Sequence, residues 1–410
     1  MRYGIPFDQS EENPEVVFLN PRRQSIRFNG GLRDLTSFIR STQFSLQYND
    51  YKHQEINPIE NVVNTEFRNK TFNYRGMFDE KKTGRWSGSL GFWGLHRDYK
   101  SAGEESLAPP TKQNAIAAFG LEKLDFERVS FQFGGRFEHN GYNPTQGVVE
   151  RATPNRSFNG FSGAVGMRVP TWKGGAVVVN YSHSYRAPAL EELYNLGPHG
   201  GNATFEIADP NLKREQSDGI DFSVRHSTNR IRAEANYFYY HIKDFIFLAP
   251  TGEIDEESGL RIANYSQGAS RYTGAEAKFD VGLHRYVWLL SELDYVNAKL
   301  TDMNTPLPRI PPLRGRVGFE YTYKDFRLHP EAVMSKDQDK LFPTETRTAG
   351  YTVFNVNASY TFAQQHYAQT ISVSGFNLGD RLYRNHLSFI KDFAPEIGRG
   401  VRLTYSFRFF

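Results

Sequence analysis

The 410-residue sequence contains no cysteine. That excludes thiolate nucleophiles, cysteine-ligated zinc and disulfide staples. It also lacks any run of about 18 apolar residues, the minimum for a helix that crosses a bilayer. Lipid is spanned only by helices and closed barrels, because every backbone polar group must be satisfied internally. If the chain enters a membrane, it does so as a barrel. No basic tract is present either: 49 Lys and Arg stand against 46 Asp and Glu, a net charge of +3. Nothing reads as a nucleic-acid arm, and no nucleic-acid partner is expected. The opening residues, Met1 to Pro6, do not make a charged region followed by an apolar one, so they are no export signal. A barrel bound for an outer membrane needs such a signal, so the expectation is a truncated start.

Aromatic residues are plentiful instead. They make up 15% of the chain, with 33 Phe and 23 Tyr, although the mean hydropathy is −0.59. A soluble core would want more Leu, Ile and Val. A barrel wall accommodates the combination, with apolar residues facing lipid, polar ones facing a wet lumen, and aromatics at the interfaces.

Alternation at period two recurs along the chain. Val317, Phe319, Tyr321 and Tyr323 share one face, opposite Arg314, Arg316, Glu320 and Thr322. Phe354, Val356, Ala358, Tyr360 and Phe362 oppose Asn355, Asn357, Ser359 and Thr361 in the same way. About seventeen such segments begin near residues 22, 38, 62, 84, 112, 129, 156, 174, 214, 231, 261, 286, 313, 326, 351, 368 and 398. Connections alternate between short and long, the long ones near 53–61, 100–111, 141–155, 187–213, 248–260, 301–312, 337–350 and 380–397. Short turns on one side and long loops on the other is an outer-membrane arrangement. The predicted fold is therefore all-β, a transmembrane antiparallel β-barrel over 22–410, preceded by an outer loop over 1–21. Seventeen is odd, whereas single-chain bacterial barrels have even strand numbers, so further strands are expected upstream.

Three stretches carry a resemblance. The first holds Arg186-Ala187-Pro188 and then Leu193-Tyr194, in which Pro188 ends a strand and Ala189 to Tyr194 make a short helical turn. The second is Asp209-Pro210-Asn211-Leu212-Lys213-Arg214-Glu215-Gln216-Ser217. The third is Asn377-Leu378-Gly379-Asp380-Arg381-Leu382-Tyr383, where Asn377 and Asp380 can hold a turn through side-chain bonds to backbone. It is followed by a terminal strand with Tyr405, Phe407 and Phe409 on one face and Phe410 one residue beyond. Together they resemble the barrel of TonB-dependent outer-membrane receptors. The sequence departs from the family's Asn-Pro-Asn-Leu-Lys-Pro-Glu-x-Ser at Asp209 and Arg214. The resemblance implies a barrel of about twenty-two strands, of which this chain would hold the last seventeen. The signal, TonB box, plug and first strands would lie outside it. It also implies a terminal strand that closes the wall and is read by the barrel-assembly machinery. On this reading the chain alone performs no gated, energised uptake, and left unclosed it does not insert as a stable monomer.

The stretches Gly197–Glu206 and Tyr383–Glu396 resemble a subgroup associated with zinc or haem uptake. His199 and Glu206 fall in one outer loop, and His386, Asp392 and Glu396 in another. Imidazole and carboxylate suit a zinc ion without cysteine. The transported ligand is therefore expected to be zinc, another metal, haem or a siderophore, with no resident cofactor. Against this, a lone loop histidine is usually just solvated. The acidic run Glu253–Glu257 lacks the spacing of a calcium loop. The inward arginines Arg136, Arg314, Arg316 and Arg402 are expected to pair with carboxylates such as Glu138 and Glu320. No enzyme is indicated: in Ser182-His183-Ser184, neighbouring strand residues point to opposite faces and cannot form a nucleophile–base pair. A passive pore and a non-functional gene fragment are the rival readings.

Overall fold

The computed structural model describes residues 2–4, 16–57, 59–103, 106–147 and 152–410. Among the described residues the chain forms 21 strands and one short helix. Seventeen of the strands are ten residues or longer, and the other four are Arg2–Gly4, Leu196–His199, Thr204–Ile207 and Thr305–Pro306. All belong to one sheet. Sequential long strands pair antiparallel, as Ile39–Asn57 does with Val62–Glu80 and Phe326–Ser335 with Tyr351–Ala363. Every predicted segment but the first begins within two residues of an observed strand.

The first segment is corrected. Of the predicted outer loop 1–21, residues 16–21 belong to the long strand Val16–Arg33, which pairs at its start with Arg2–Gly4, while 1 and 5–15 lie outside the described residues. The ladder passes through Pro21, opposite His53. Proline can stand at sheet positions that demand no donor. The 53–61 loop is likewise corrected, since the Ile39–Asn57 strand uses most of it and only 58–61 remains. Similarly, Ile231–Ile254 runs 24 residues and takes up half of the 248–260 loop. A membrane strand needs only about 9–11 residues, so these strands extend well past a bilayer's thickness.

The faces alternate as a lipid-contacting wall requires. Val317, Phe319 and Tyr323 are 40%, 45% and 41% exposed, large apolar groups that no soluble protein would leave in a row. The polar face of the same strands carries ion pairs. Arg316 meets Glu331 at 3.5 Å and Glu292 at 3.9 Å, and Arg314 donates to Asp294 at 2.8 Å. Arg136 pairs with Glu138 as expected, but Glu320 is not the partner of Arg314 or Arg316. Cross-strand register decides this: Glu320 lies opposite Trp288, while Arg316 lies opposite Glu292 and Arg314 opposite Asp294.

The chain divides into two compact units, one comprising 1–167, 181–218 and 241–270, the other 168–180, 219–240 and 271–410. In the first, the helix Leu190–Tyr194 seals a small apolar core of Ala108, Tyr142, Phe158, Leu190, Leu193, Tyr194, Leu212 and Ile246. The second carries the terminal strand Gly400–Phe409, which pairs along Tyr367–Phe376. Tyr405, Phe407, Phe409 and Phe410 are all exposed there, and the Phe410 amide donates to His366 O at 3.0 Å.

Candidate ligand-binding site

In the first unit, the Arg186–Tyr194 stretch organises the loops. The Arg186 guanidinium is a fork between two carboxylates, donating to Glu215 at 2.7 Å through two nitrogens and to Glu192 at 2.9 and 3.1 Å. Glu192 also accepts from the Ala189 amide at 2.7 Å, satisfying an orphan donor at the helix start. Glu215 accepts the Ile246 amide at 2.7 Å. Pro188 contributes its carbonyl to the Tyr142 hydroxyl at 2.8 Å, and Ala187 packs on the core beneath. Asp209, where the family pattern has asparagine, still makes the turn by accepting the Asn211 amide at 2.8 Å. Arg214, where the pattern has proline, donates to the Asn159 carbonyl and lies over the Tyr185 ring. Leu212 is buried, and the Lys213 amide donates to Gln267 at 2.7 Å. Ser217 lies on the Glu215–Ser227 strand.

The loop leaving this helix folds into a hairpin, Leu196–His199 against Thr204–Ile207, in which His199 lies opposite Thr204. Thr204–Ile207 then pairs parallel with Arg261–Asn264. Glu206 is 1% exposed. It accepts from His199 Nδ1 at 2.8 Å, Asn202 Nδ2 at 2.8 Å, Asn195 Nδ2 at 2.9 Å and the Tyr265 hydroxyl at 3.3 Å. Burial alone would raise its pKa, but the His199, Asn195 and Asn202 bonds and the His199 charge outweigh that and lower it. An ionised carboxylate can only accept, so His199 Nδ1 carries the proton in that bond. The His199 side chain is 38% exposed, and its Nε2 edge lies against Gly201, where any side chain would come within 3.5 Å of it.

The second predicted loop is different. His386 is only 3% exposed, with Nδ1 bonded to the Thr348 hydroxyl at 2.9 Å. Its Nε2 lies 3.8 Å from Glu345, which itself accepts the Arg309 amide at 2.7 Å and the Phe342 amide at 3.1 Å. Asp392 accepts from Thr346 at 2.5 Å. Lys391, also buried, donates to the Thr346 hydroxyl at 2.7 Å and to its carbonyl. The Glu396 amide donates to the Tyr383 carbonyl at 2.9 Å. His386, Asp392 and Glu396 therefore tie loops together and do not converge as ligands. Among the described residues, no three His, Cys, Asp or Glu side chains gather as a metal set. Asn377 holds this loop as expected, accepting the Arg381 amide and donating to its carbonyl, each at 2.9 Å. Asp380 accepts the Arg399 amide at 2.9 Å, and the Leu378 amide donates to Phe354 O at 2.8 Å.

Burial, then the charges of Lys391 and Arg309, push His386 down to about 4, against the opposing influence of Asp392. An unfolded histidine titrates near about 6.5. Between those values the unfolded loop binds more protons than the folded one. The stabilisation is thus complete above about 6.5 and is lost as pH falls toward about 4. Trypsin should therefore open the 377–399 loop faster relative to a His386→Gln variant at pH 5.5 than at pH 7.5. A ratio independent of pH would refute this.

Residues 3–378 match the family described as TonB dependent receptor-like, beta-barrel. The chain belongs to this family. Such receptors are outer-membrane barrels and not enzymes, and the resemblance carried by the three motifs holds. Over 276 residues the chain is 21% identical to hemoglobin-haptoglobin utilization protein B of Neisseria meningitidis, which covers 58% of this chain and 34% of that protein. Its fold is similar to the copper transporter OprC, with a TM-score of 0.79 at 18% identity, covering 95% of this chain and 65% of that one. The FrpB iron transporter from Neisseria meningitidis aligns with a TM-score of 0.72 at 13% identity, covering 98% and 67%. The chain thus spans about a third of the curated relative and about two thirds of the solved transporters.

Proposed function

We propose that the whole protein is a bacterial outer-membrane receptor for TonB-energised uptake of a metal or metal chelate, zinc and haem first among them, and that His199 is a capture ligand on its outer loops. The observation that carries this is the His199–Glu206 pair. Metal-binding histidines commonly donate their second ring nitrogen to a carboxylate, which fixes the tautomer and raises basicity. Here His199 Nδ1 donates to a buried carboxylate, and the side chain is 38% exposed on the hairpin beside Gly201. One imidazole and one committed carboxylate make no closed zinc site. This arrangement suits transient capture, or an axial contact to a chelated metal, with remaining donors supplied by the ligand or by other parts of the protein. The relatives named for copper, iron and hemoglobin support the cargo class. Coupling to TonB and gating by a plug would reside in segments beyond this chain. The aromatic end at Phe407 to Phe410 would present the assembly signal.

The test is binding of zinc by calorimetry, and of haem by its Soret band, to the whole protein purified from outer membranes. Glu206→Gln should weaken binding about 10- to 100-fold, the range seen when the partner of a ligating histidine is lost. His199→Ala should weaken it at least as much. Unchanged binding of both ligands in His199→Ala would exclude the assignment.

A further inference from the structure

In the second unit, a separate cavity of about 150 Å³ lies among residues 311–314, 335–336, 348–351 and 383–396. That is room for about five waters at about 30 Å³ each, and so for a compact ion but not a chelate or peptide. Three cations line it, Arg314, Lys336 and Arg384, with one carboxylate, Glu396. Arg314 is already committed to Asp294 at 2.8 Å. Arg384 is held in place by donating to the Lys391 carbonyl. Lys336 and Glu396 line the same cavity, yet neither makes an ion pair among the described residues. His386 closes one wall, its ring fixed through Thr348.

The lining thus offers cationic donors for an anion and, in Glu396, one carboxylate to accept a proton. A zwitterion would satisfy both but would leave the excess positive charge uncompensated. We propose that this cavity binds a tetrahedral oxyanion that still carries a proton, namely hydrogen phosphate or a phosphate monoester. Lys336 and Arg384 would contact its charged oxygens, and Glu396 would accept its O–H. Sulfate has the same shape and no proton at neutral pH. Its oxygen would meet the Glu396 carboxylate with no hydrogen between them, and such a contact between two anionic oxygens is disfavoured.

The experiment is calorimetric titration of the whole protein, purified from outer membranes, with inorganic phosphate, glycerol phosphate and sulfate. Phosphate should bind at least about tenfold more tightly than sulfate, the discrimination expected when a charged hydrogen bond is gained or lost. Lys336→Gln, at an exposed position, should weaken phosphate about tenfold. Glu396→Gln should narrow the phosphate–sulfate ratio, since an amide can donate to either ion. Tighter binding of glycerol phosphate than of free phosphate would assign the site to esters, and the reverse to the free ion. Equal binding of phosphate and sulfate, binding of glycine instead, or no binding would overturn the proposal. None of these outcomes bears on His199, which is tested with different ligands.

Discussion

Leu193→Ala should accelerate hydrogen exchange across 190–212 about a hundredfold, without disturbing the strands of the wall. Leu193 is fully buried in the apolar core of the first unit, among Tyr142, Phe158, Leu190 and Leu212. Truncation removes its transfer energy and leaves a cavity, a loss of about 3 kcal/mol at such sites. The wall strands lend Tyr142, Phe158 and Ile246 to this core, but their ladders are backbone hydrogen bonds that run well beyond it, so the loss should remain local. Leu193→Met, which conserves volume, should cost less than about 1.5 kcal/mol. Exchange unchanged in Leu193→Ala would mean the helix is not what fixes these loops.

Arg186→Met should be nearly as damaging, for an electrostatic reason. The guanidinium is the counter-charge for Glu192 and Glu215, whose side chains are 15% and 10% exposed. Removing one partner of a buried pair costs about 3–5 kcal/mol because the other charge remains. The Arg186 side chain is itself 43% exposed, so solvent screening reduces this to about 2–3 kcal/mol. Adding Glu192→Gln and Glu215→Gln should restore much of the loss, because the stranded charges disappear with them. Measured by urea-dependent cleavage of the loop, failure of that rescue would show that Arg186 acts through packing instead.

Much of this architecture could be read from residue alternation, and the exceptions have physical causes. The wall strands are set by local pattern: each repeats apolar and polar residues at period two and ends at a turn residue. The short strands Leu196–His199 and Thr204–Ile207 are too brief, at four residues each, for alternation to mark them, and they form by pairing with each other and, for the second, with Arg261–Asn264. The early start of the Val16–Arg33 strand was not legible because its register is set by the neighbouring strand, with Pro21 opposite His53. His199 and Glu206 were legible as a pair, being close in sequence and on one loop. Their dependence on Asn195 and Tyr265 was not, since Tyr265 lies on a strand 59 residues away from Glu206. The burial of His386 was not legible, because sequence does not reveal it. Its ring faces Thr348 and Glu345, which come from a different loop. Lys391 and Thr346, which lock that loop, gave no sequence signal beyond ordinary loop polarity.

The account rests on a wall with one face to lipid and one to water, and the absence of cysteine makes that directly measurable. Single cysteines can be placed along Arg314–Tyr323 in the whole protein and labelled in intact outer membranes with a water-soluble maleimide. The account predicts labelling at 314, 316, 320 and 322 and protection at 317, 319, 321 and 323. Uniform labelling at both sets of positions would contradict it.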